Sequence, residues 1–189
     1  MNWVERHVDS IVTAIVFGVV YWLSFVISKQ LNLMPGFDKG TYLIFIPAGV
    51  KLVAALVGGL WGIVGVMAAS IYLAHAVWPD QSEVFIFLNA AINGATTLMV
   101  VEFMRRKLKI DDDLSNLRLI HLPLIDLVNS SFHGLVRNGF WVIWGVESQS
   151  DFLSHASAMT VGDFTGSMVV LLGFAFLLKI KSKLLSARE

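Results

Sequence analysis

The sequence predicts an all-α fold, a polytopic membrane bundle of about six transmembrane helices. Composition predicts it first: of 189 residues, 56% are hydrophobic and 15% charged, with a mean hydropathy of +0.72, whereas soluble domains carry roughly a quarter charged residues. Run length predicts it second, because apolar stretches near the ~20 residues that a helix needs to cross a bilayer recur along the chain. Too little polar sequence remains to cover such a core in water. That argues against a soluble enzyme and against a nucleic-acid binder, and makes the lipid bilayer the expected partner. Lys+Arg and Asp+Glu are equal at 14 each, so only the distribution of charge is informative. With no cysteine, disulfides, thiolate metal sites and cysteine catalysis are excluded.

The first span covers Ser10–Ile27. No basic segment precedes it and no small-residue cleavage site closes it, so it reads as a retained helix rather than a leader. Thr41–Trp78 is apolar throughout except for Lys51 and is too long for one crossing. Gly58-Gly59 divides it into spans 41–57 and 60–78. A fourth span covers 84–104, a longer and more polar fifth covers 119–146, and a sixth covers 152–178. Together they form one integral membrane domain over 1–189. Six spans put Arg6, Arg105, Arg106, Lys107, Lys109, Arg118, Lys179, Lys181, Lys183 and Arg188 on one side. Only Lys29 and Lys39 fall on the other. This bias predicts a multi-pass membrane protein with both termini in the cytoplasm. Trp22, Trp61, Trp78, Trp141 and Trp144 fall near span ends, as interfacial aromatics do. Asp111-Asp112-Asp113 reads as a solvated, helix-capping turn.

Four formal charges lie deep within spans: Lys51, Asp126, Arg137 and Asp163. Each costs about 2.5–3.5 kcal/mol at mid-bilayer on insertion scales. Two of each sign can pair inside the bundle, either as purely architectural ion pairs or around a cavity for a ligand, ion or proton. Asp126, Asn129, His133 and Arg137 fall at i, i+3, i+7 and i+11, one continuous helical stripe bordered by Ser130. Such a stripe must look inward, because lipid offers its polar atoms no partner. Asn89, Asn93 and Thr97 form a second row, and Thr160, Asp163 and Ser167 a third. Gly162 and Gly166 flank Asp163, where small residues let helices approach closely. The expected ligand-binding or buried polar network is therefore Lys51, Asn89, Asn93, Asp126, Asn129, His133, Arg137, Thr160 and Asp163.

No catalytic constellation is present: there is no G-x-S-x-G, no Gly-rich phosphate loop and no close acid–base pair. No two histidines share a ligand spacing and H-E-x-x-H is absent, so no metal site is expected and the cofactor stays unknown. His133 reads as a hydrogen-bonded core histidine.

The segment Phe45-Ile46-Pro47-Ala48-Gly49-Val50, continuing through Gly58-Gly59-Leu60-Trp61-Gly62, resembles the membrane-associated sensor (MASE) domain, first type, of bacterial signalling proteins. Gly162-Asp163-Phe164-Thr165-Gly166 is similar to that family's tryptophan-x-x-Gly-Asp-x-x-Gly signature, with Met159 where the tryptophan often falls. These anchors and the hydropathy between them span roughly residues 15–178. By motif match the resemblance carries over Pro47, Gly49, Asp163 and Gly166. It implies a sensory bundle that signals through a kinase, cyclase or phosphodiesterase partner, since this chain has no output domain of its own. The family's usual span count is nearer eight. A small-solute transporter, or its six-span substrate-binding subunit, is the second reading. An accessory or assembly subunit of a larger membrane complex is the third, and a membrane enzyme the last.

Overall fold

A computed structural model describes residues 3–31 and 42–186, with side chains described from 7 to 30 and from 42 to 173. Six helices run in order: α1 (Trp3–Leu31), α2 (Ile46–Val57), α3 (Gly59–Val77), α4 (Glu83–Lys107), α5 (His121–Ile143) and α6 (Phe152–Ser186). There is no strand among the described residues, and the expected all-α bundle is what the chain forms. Among the described residues, four stretches are long and apolar enough to cross a membrane: His7–Gln30, Gly59–Val77, Glu83–Lys107 and Phe152–Gly173. The α5 helix has 23 residues, about 34 Å at 1.5 Å per residue, but its polar stripe lowers its apolarity. With only 12 residues, about 18 Å, α2 is well short of the ~30 Å hydrocarbon thickness. The side chains of Arg6, Lys39, Thr41, Lys179, Lys181, Lys183 and Arg188 lie outside those described.

Local chemistry sets the boundaries. Gly58 donates its N–H to Ala54 O at 2.9 Å and closes α2. Gly59 follows at φ +55°, a conformation that glycine adopts without steric cost, and restarts the chain as α3. Ser82 caps α4 by accepting the Phe85 N–H at 3.3 Å, with Glu83 in the first turn and Arg105, Arg106 and Lys107 in the last. The aspartate run after α4 is turn chemistry: Asp112 pairs with Arg105 at 2.8 Å, and Asp113 accepts the Ser115 N–H at 3.0 Å. Those hydrogen bonds from Ser115 hold the Asp113 carboxyl below the usual carboxylate range.

The second span was expected to be helical from residue 41, but helix begins only at Ile46. Pro47 occupies the first turn, where its missing N–H costs nothing. The preceding segment 42–45 is non-helical and lies against α6. Phe45 donates its N–H to Gly162 O at 2.9 Å, and Thr165 Oγ1 donates to Leu43 O at 2.6 Å. Ser28 of α1 accepts the Ile46 N–H at 3.0 Å. A methyl at Gly162 would overlap Tyr42 O, and one at Gly166 would overlap Phe45 O. The glycines beside Asp163 therefore admit a bent, non-helical segment, not the neighbouring helix that the sequence suggested.

Helix α2 is the centre of the bundle and packs on α1, α3, α4 and α6. Nine of its twelve residues are buried. Apolar clusters pack at both ends. Where α2 and α4 finish and α3 and α5 begin, Leu56, Ile63, Val101, Met104, Ile110 and Ile125 form a continuous core, and this end carries Arg105, Arg106 and Lys107. We call it the basic end. At the opposite end Phe85, Trp78, Phe140, Trp141 and Trp144 form an aromatic cluster with ring centroids 5.3–5.8 Å apart. Trp141, expected at the interface, is only 3% exposed because its ring is built into this cluster. On α1, Ile11, Ile15 and Val19 are half exposed, as suits a lipid surround.

Candidate functional site

A polar core occupies the middle of the bundle. Lys51, fully buried on α2, donates from Nζ to Asn93 Oδ1 on α4 at 3.0 Å. Lysine can only donate, which fixes the orientation of the Asn93 amide. Its Nδ2 then donates to Tyr21 Oη on α1 at 2.9 Å and to Ser70 Oγ on α3 at 2.8 Å. One asparagine thus ties four helices together, and each of its amide groups has a partner.

Asp163 of α6 places Oδ2 3.9 Å from Lys51 Nζ and 3.9 Å from His133 Nε2 on α5. The three side chains meet with almost no exposure. At its other nitrogen, His133 Nδ1 lies 3.0 Å from Thr96 Oγ1. The Thr96 hydroxyl has one hydrogen and a shorter acceptor, Ile92 O at 2.7 Å. When it is used there, Nδ1 carries the imidazole proton and donates to Thr96, leaving Nε2 toward Asp163. Deeper toward the basic end, Asp126 Oδ1 accepts from Ser130 Oγ at 3.4 Å, and the Ser167 hydroxyl faces the same carboxylate. Asn129 is fully buried with neither amide atom bonded to protein, and Asp126 Oδ2, Asp163 Oδ2 and His133 Nε2 have no hydrogen-bond donor or acceptor from the protein either.

Two of the expected residues stand elsewhere, at the end opposite the basic one. Arg137 Nε donates to Asn89 Oδ1 at 3.2 Å, and Trp141 Nε1 donates to the same oxygen at 3.0 Å. The guanidinium lies 5.0 Å over the Trp141 ring. Among the described residues no carboxylate is within ion-pair distance of Arg137. Its free edge borders a small cleft of about 40 Å³ lined by Tyr21, Phe25, Tyr42, Phe45, Trp78 and Asn93. Asn93 also binds Lys51, so the cleft floor is continuous with the polar core.

Thr160 does not join the network. Its hydroxyl donates to Ala156 O at 2.8 Å within α6 and reaches Ser130 O at 3.3 Å, stitching α6 to α5. Pro47 and Gly49 are buried on α2; a methyl at Gly49 would stand 2.7 Å from Val170 Cβ and 2.9 Å from Ser167 Cα on α6. The segments around Pro47 and around Asp163, more than a hundred residues apart, thus form one interface. The histidines outside the core take separate carboxylates: His75 lies 3.1 Å from Glu83, and His155 lies 2.5 Å from Glu147. No group of three or more histidine or acidic side chains converges among the described residues.

Sequence reasoning missed Tyr21, Ser70, Thr96 and Asn138. Ser70 is a single polar residue in an apolar helix, indistinguishable by pattern from a lone hydroxyl that bonds its own backbone; Thr96 did carry a signal, following Asn89 and Asn93 at i+7 and i+3, and so did Tyr21, which shares a helix face with Ser24 and Ser28. Asn138 carried a signal, since it follows Arg137 on the polar helix; it is fully buried and donates to Gly134 O at 2.7 Å. Together the fold and the site define a helical membrane bundle with a charged interior and an aromatic cleft. Comparison with family models, curated proteins and solved structures finds no match for this chain.

Proposed function

We propose that this protein is a ligand-binding sensory bundle of the bacterial inner membrane, similar to the first type of MASE domain, that signals through a separate partner. In this reading α2 with the segment before it counts as one of six crossings. Both termini and the basic end face the cytoplasm, and the cleft opens toward the periplasm. The observation that carries the reading is the Arg137 cleft, whose floor residue Asn93 also holds Lys51 within the Lys51–Asp163–His133 core. A guest in the cleft changes the surroundings of a residue that touches α1, α2, α3 and α4 at once. Contact between the Pro47-Ala48-Gly49 segment and the Gly-Asp-x-x-Gly segment supports the family resemblance, because separate motifs of one family are expected to meet in space.

The apolar layer of Leu56, Ile63, Val101, Met104 and Ile125 favours this reading over transport. It closes the bundle below the polar core, so the polar route leads in from one side and stops. Purification in mild detergent, followed by mass spectrometry of copurifying molecules, tests the proposal. A small molecule retained by the wild type and lost from Arg137→Gln, together with a copurifying kinase, cyclase or phosphodiesterase, is the expected result. A copurifying ATPase would replace it with the transport reading, and a respiratory complex with the assembly-subunit reading.

A further inference from the structure

We infer that the Arg137 cleft holds a single dehydrated halide ion, chloride by size. This inference rests on the proposed ligand-binding reading and narrows the ligand to a monatomic anion. The room is about 40 Å³, enough for one or two water-sized occupants and too little for an organic body. Arg137 is fixed beside that room on two sides: Nε is engaged with Asn89 Oδ1 at 3.2 Å, and the guanidinium lies 5.0 Å over the Trp141 ring. What remains is the pair of terminal Nη groups, with no carboxylate at ion-pair distance among the described residues.

The polar groups around the cleft are left with hydrogens to give rather than lone pairs to offer. Asn89 Oδ1 already accepts twice, from Arg137 Nε and from Trp141 Nε1 at 3.0 Å. Asn93 Oδ1 accepts from Lys51 Nζ. Tyr21 Oη and Ser70 Oγ both accept from Asn93 Nδ2, so each keeps its own hydroxyl hydrogen to donate, and both line the cleft. No carboxylate is among the lining side chains. The nearest charges add to a positive sign: Arg137 on the wall and Lys51 behind Asn93, against Asp163 beyond Lys51. A partly buried cation with no counter-ion is costly, and a guest anion removes that cost. Phe25, Phe45, Leu73 and Val77 complete the wall with apolar side chains, so the guest must shed most of its water. Chloride and bromide do so more readily than the strongly hydrated fluoride, sulfate or phosphate.

The test uses the full chain in nanodiscs of zwitterionic phosphatidylcholine, prepared free of halide in sodium gluconate. Chloride then replaces gluconate at constant ionic strength. Binding is read by calorimetry and by thermal unfolding, whose midpoint rises as a ligand fills a site on the folded state. Chloride and bromide should saturate, with fluoride, acetate and sulfate each at least tenfold weaker. Arg137→Gln should abolish the chloride-dependent rise, and Arg137→Lys, which keeps charge but loses the fork, should retain part of it. Tyr21→Phe, which leaves Arg137 untouched and removes one hydroxyl donor, should weaken chloride several-fold, and so serves if Arg137→Gln fails to fold. Equal responses to chloride and sulfate, or a response that survives Arg137→Gln, would overturn the assignment as a general salt effect. Preference for acetate would overturn it in favour of a small carboxylate. Absence of any chloride response, up to full replacement of the gluconate, would reject the inference outright, while a copurifying kinase, cyclase or phosphodiesterase would still sustain the sensory reading. Saturable chloride binding without such a partner would uphold the halide site and remove the sensory reading instead.

Discussion

Lys51 and Asp163 should behave as a coupled buried pair, and a double-mutant cycle measures it. Their charged atoms stand 3.9 Å apart with essentially no exposure. At an effective dielectric near 20, unit charges at that distance attract by 332/(20 × 3.9), about 4 kcal/mol. Removing one member leaves the other charge buried, which typically costs about 3–5 kcal/mol. Asp163→Asn keeps shape and loses charge; Lys51→Met keeps the apolar stem. Each single variant should lose about 3–5 kcal/mol in unfolding by SDS in mixed micelles. The double variant strands no charge but still orphans Asn93 Oδ1, which accepts from Lys51 at 3.0 Å. Leaving that buried acceptor unsatisfied costs about 1–3 kcal/mol. The double should therefore lose only about 1–3 kcal/mol, and the coupling should come out at about 6 kcal/mol, above the bare Coulomb attraction because each single variant also strands a buried charge. Losses that simply add, within about 0.5 kcal/mol, would refute the pairing. A ligand response measured on the same variants separates the roles. An architectural pair recovers response with stability in the double variant, whereas a functional pair recovers stability alone.

The remaining predictions concern packing, pH and topology. Gly166→Ala and Gly162→Ala should each cost about 3 kcal/mol or more in thermal or SDS unfolding, at or above the top of the usual overpacking range, because the added methyl meets backbone that cannot rotate away. Gly173→Ala, with nothing within 4 Å, should be neutral or gain up to about 1 kcal/mol of helix propensity. Glu147, in the loop between α5 and α6, has its carboxyl raised by burial, while the nearby His155 opposes that rise. A group raised above its unfolded value stabilises most when protonated, so stability should fall as pH rises through the range where Glu147 loses its proton; Glu147→Gln should flatten that slope in melting curves taken across pH 4–8. A C-terminal reporter active only in the periplasm should stay silent, and activity would overturn the orientation read from the basic residues.

Much of this architecture was legible in one dimension. Hydropathy marks helices wherever a run must face lipid, and helical periodicity put Asp126, Asn129 and His133 on one stripe; all three are fully buried. Pairing was not legible, because it depends on contacts distant in sequence. Asn93 meets Tyr21 across 72 positions and Lys51 across 42, and no local pattern encodes which acceptor a buried amide finds. The same limit separated Arg137 from the rest of its stripe. One turn beyond His133, the bundle opens into the cleft, and Asn89 rather than a carboxylate stands opposite. The late start of α2 did leave a sign in the sequence, since proline sits comfortably only in the first turn of a helix.

Pro47 and the two glycines of α6 are parts of one arrangement, and satisfaction of the backbone explains why they occur together. A non-helical segment inside a bilayer is tolerated only where protein or a cavity covers its polar groups. Here the Phe45 N–H reaches Gly162 O, the Ile46 N–H reaches Ser28 Oγ, and Leu43 O receives the Thr165 hydroxyl. The short distances require α6 to carry no Cβ at 162 and 166, where a side chain would overlap Tyr42 O and Phe45 O. Had α2 continued as helix through residue 42, its side chains would project radially, and the non-helical path that carries Tyr42 and Phe45 along the cleft wall would be lost. Instead the stacked pair, with centroids 5.3 Å apart, lines the cleft beside Arg137. Glycine on α6 thereby shapes a wall built from residues more than a hundred positions away, while Asp163, between those glycines, faces Lys51 and His133 in the core. Cleft wall and buried charge are held by the same two turns of α6, so displacement of the wall cannot leave the position of the charge unchanged.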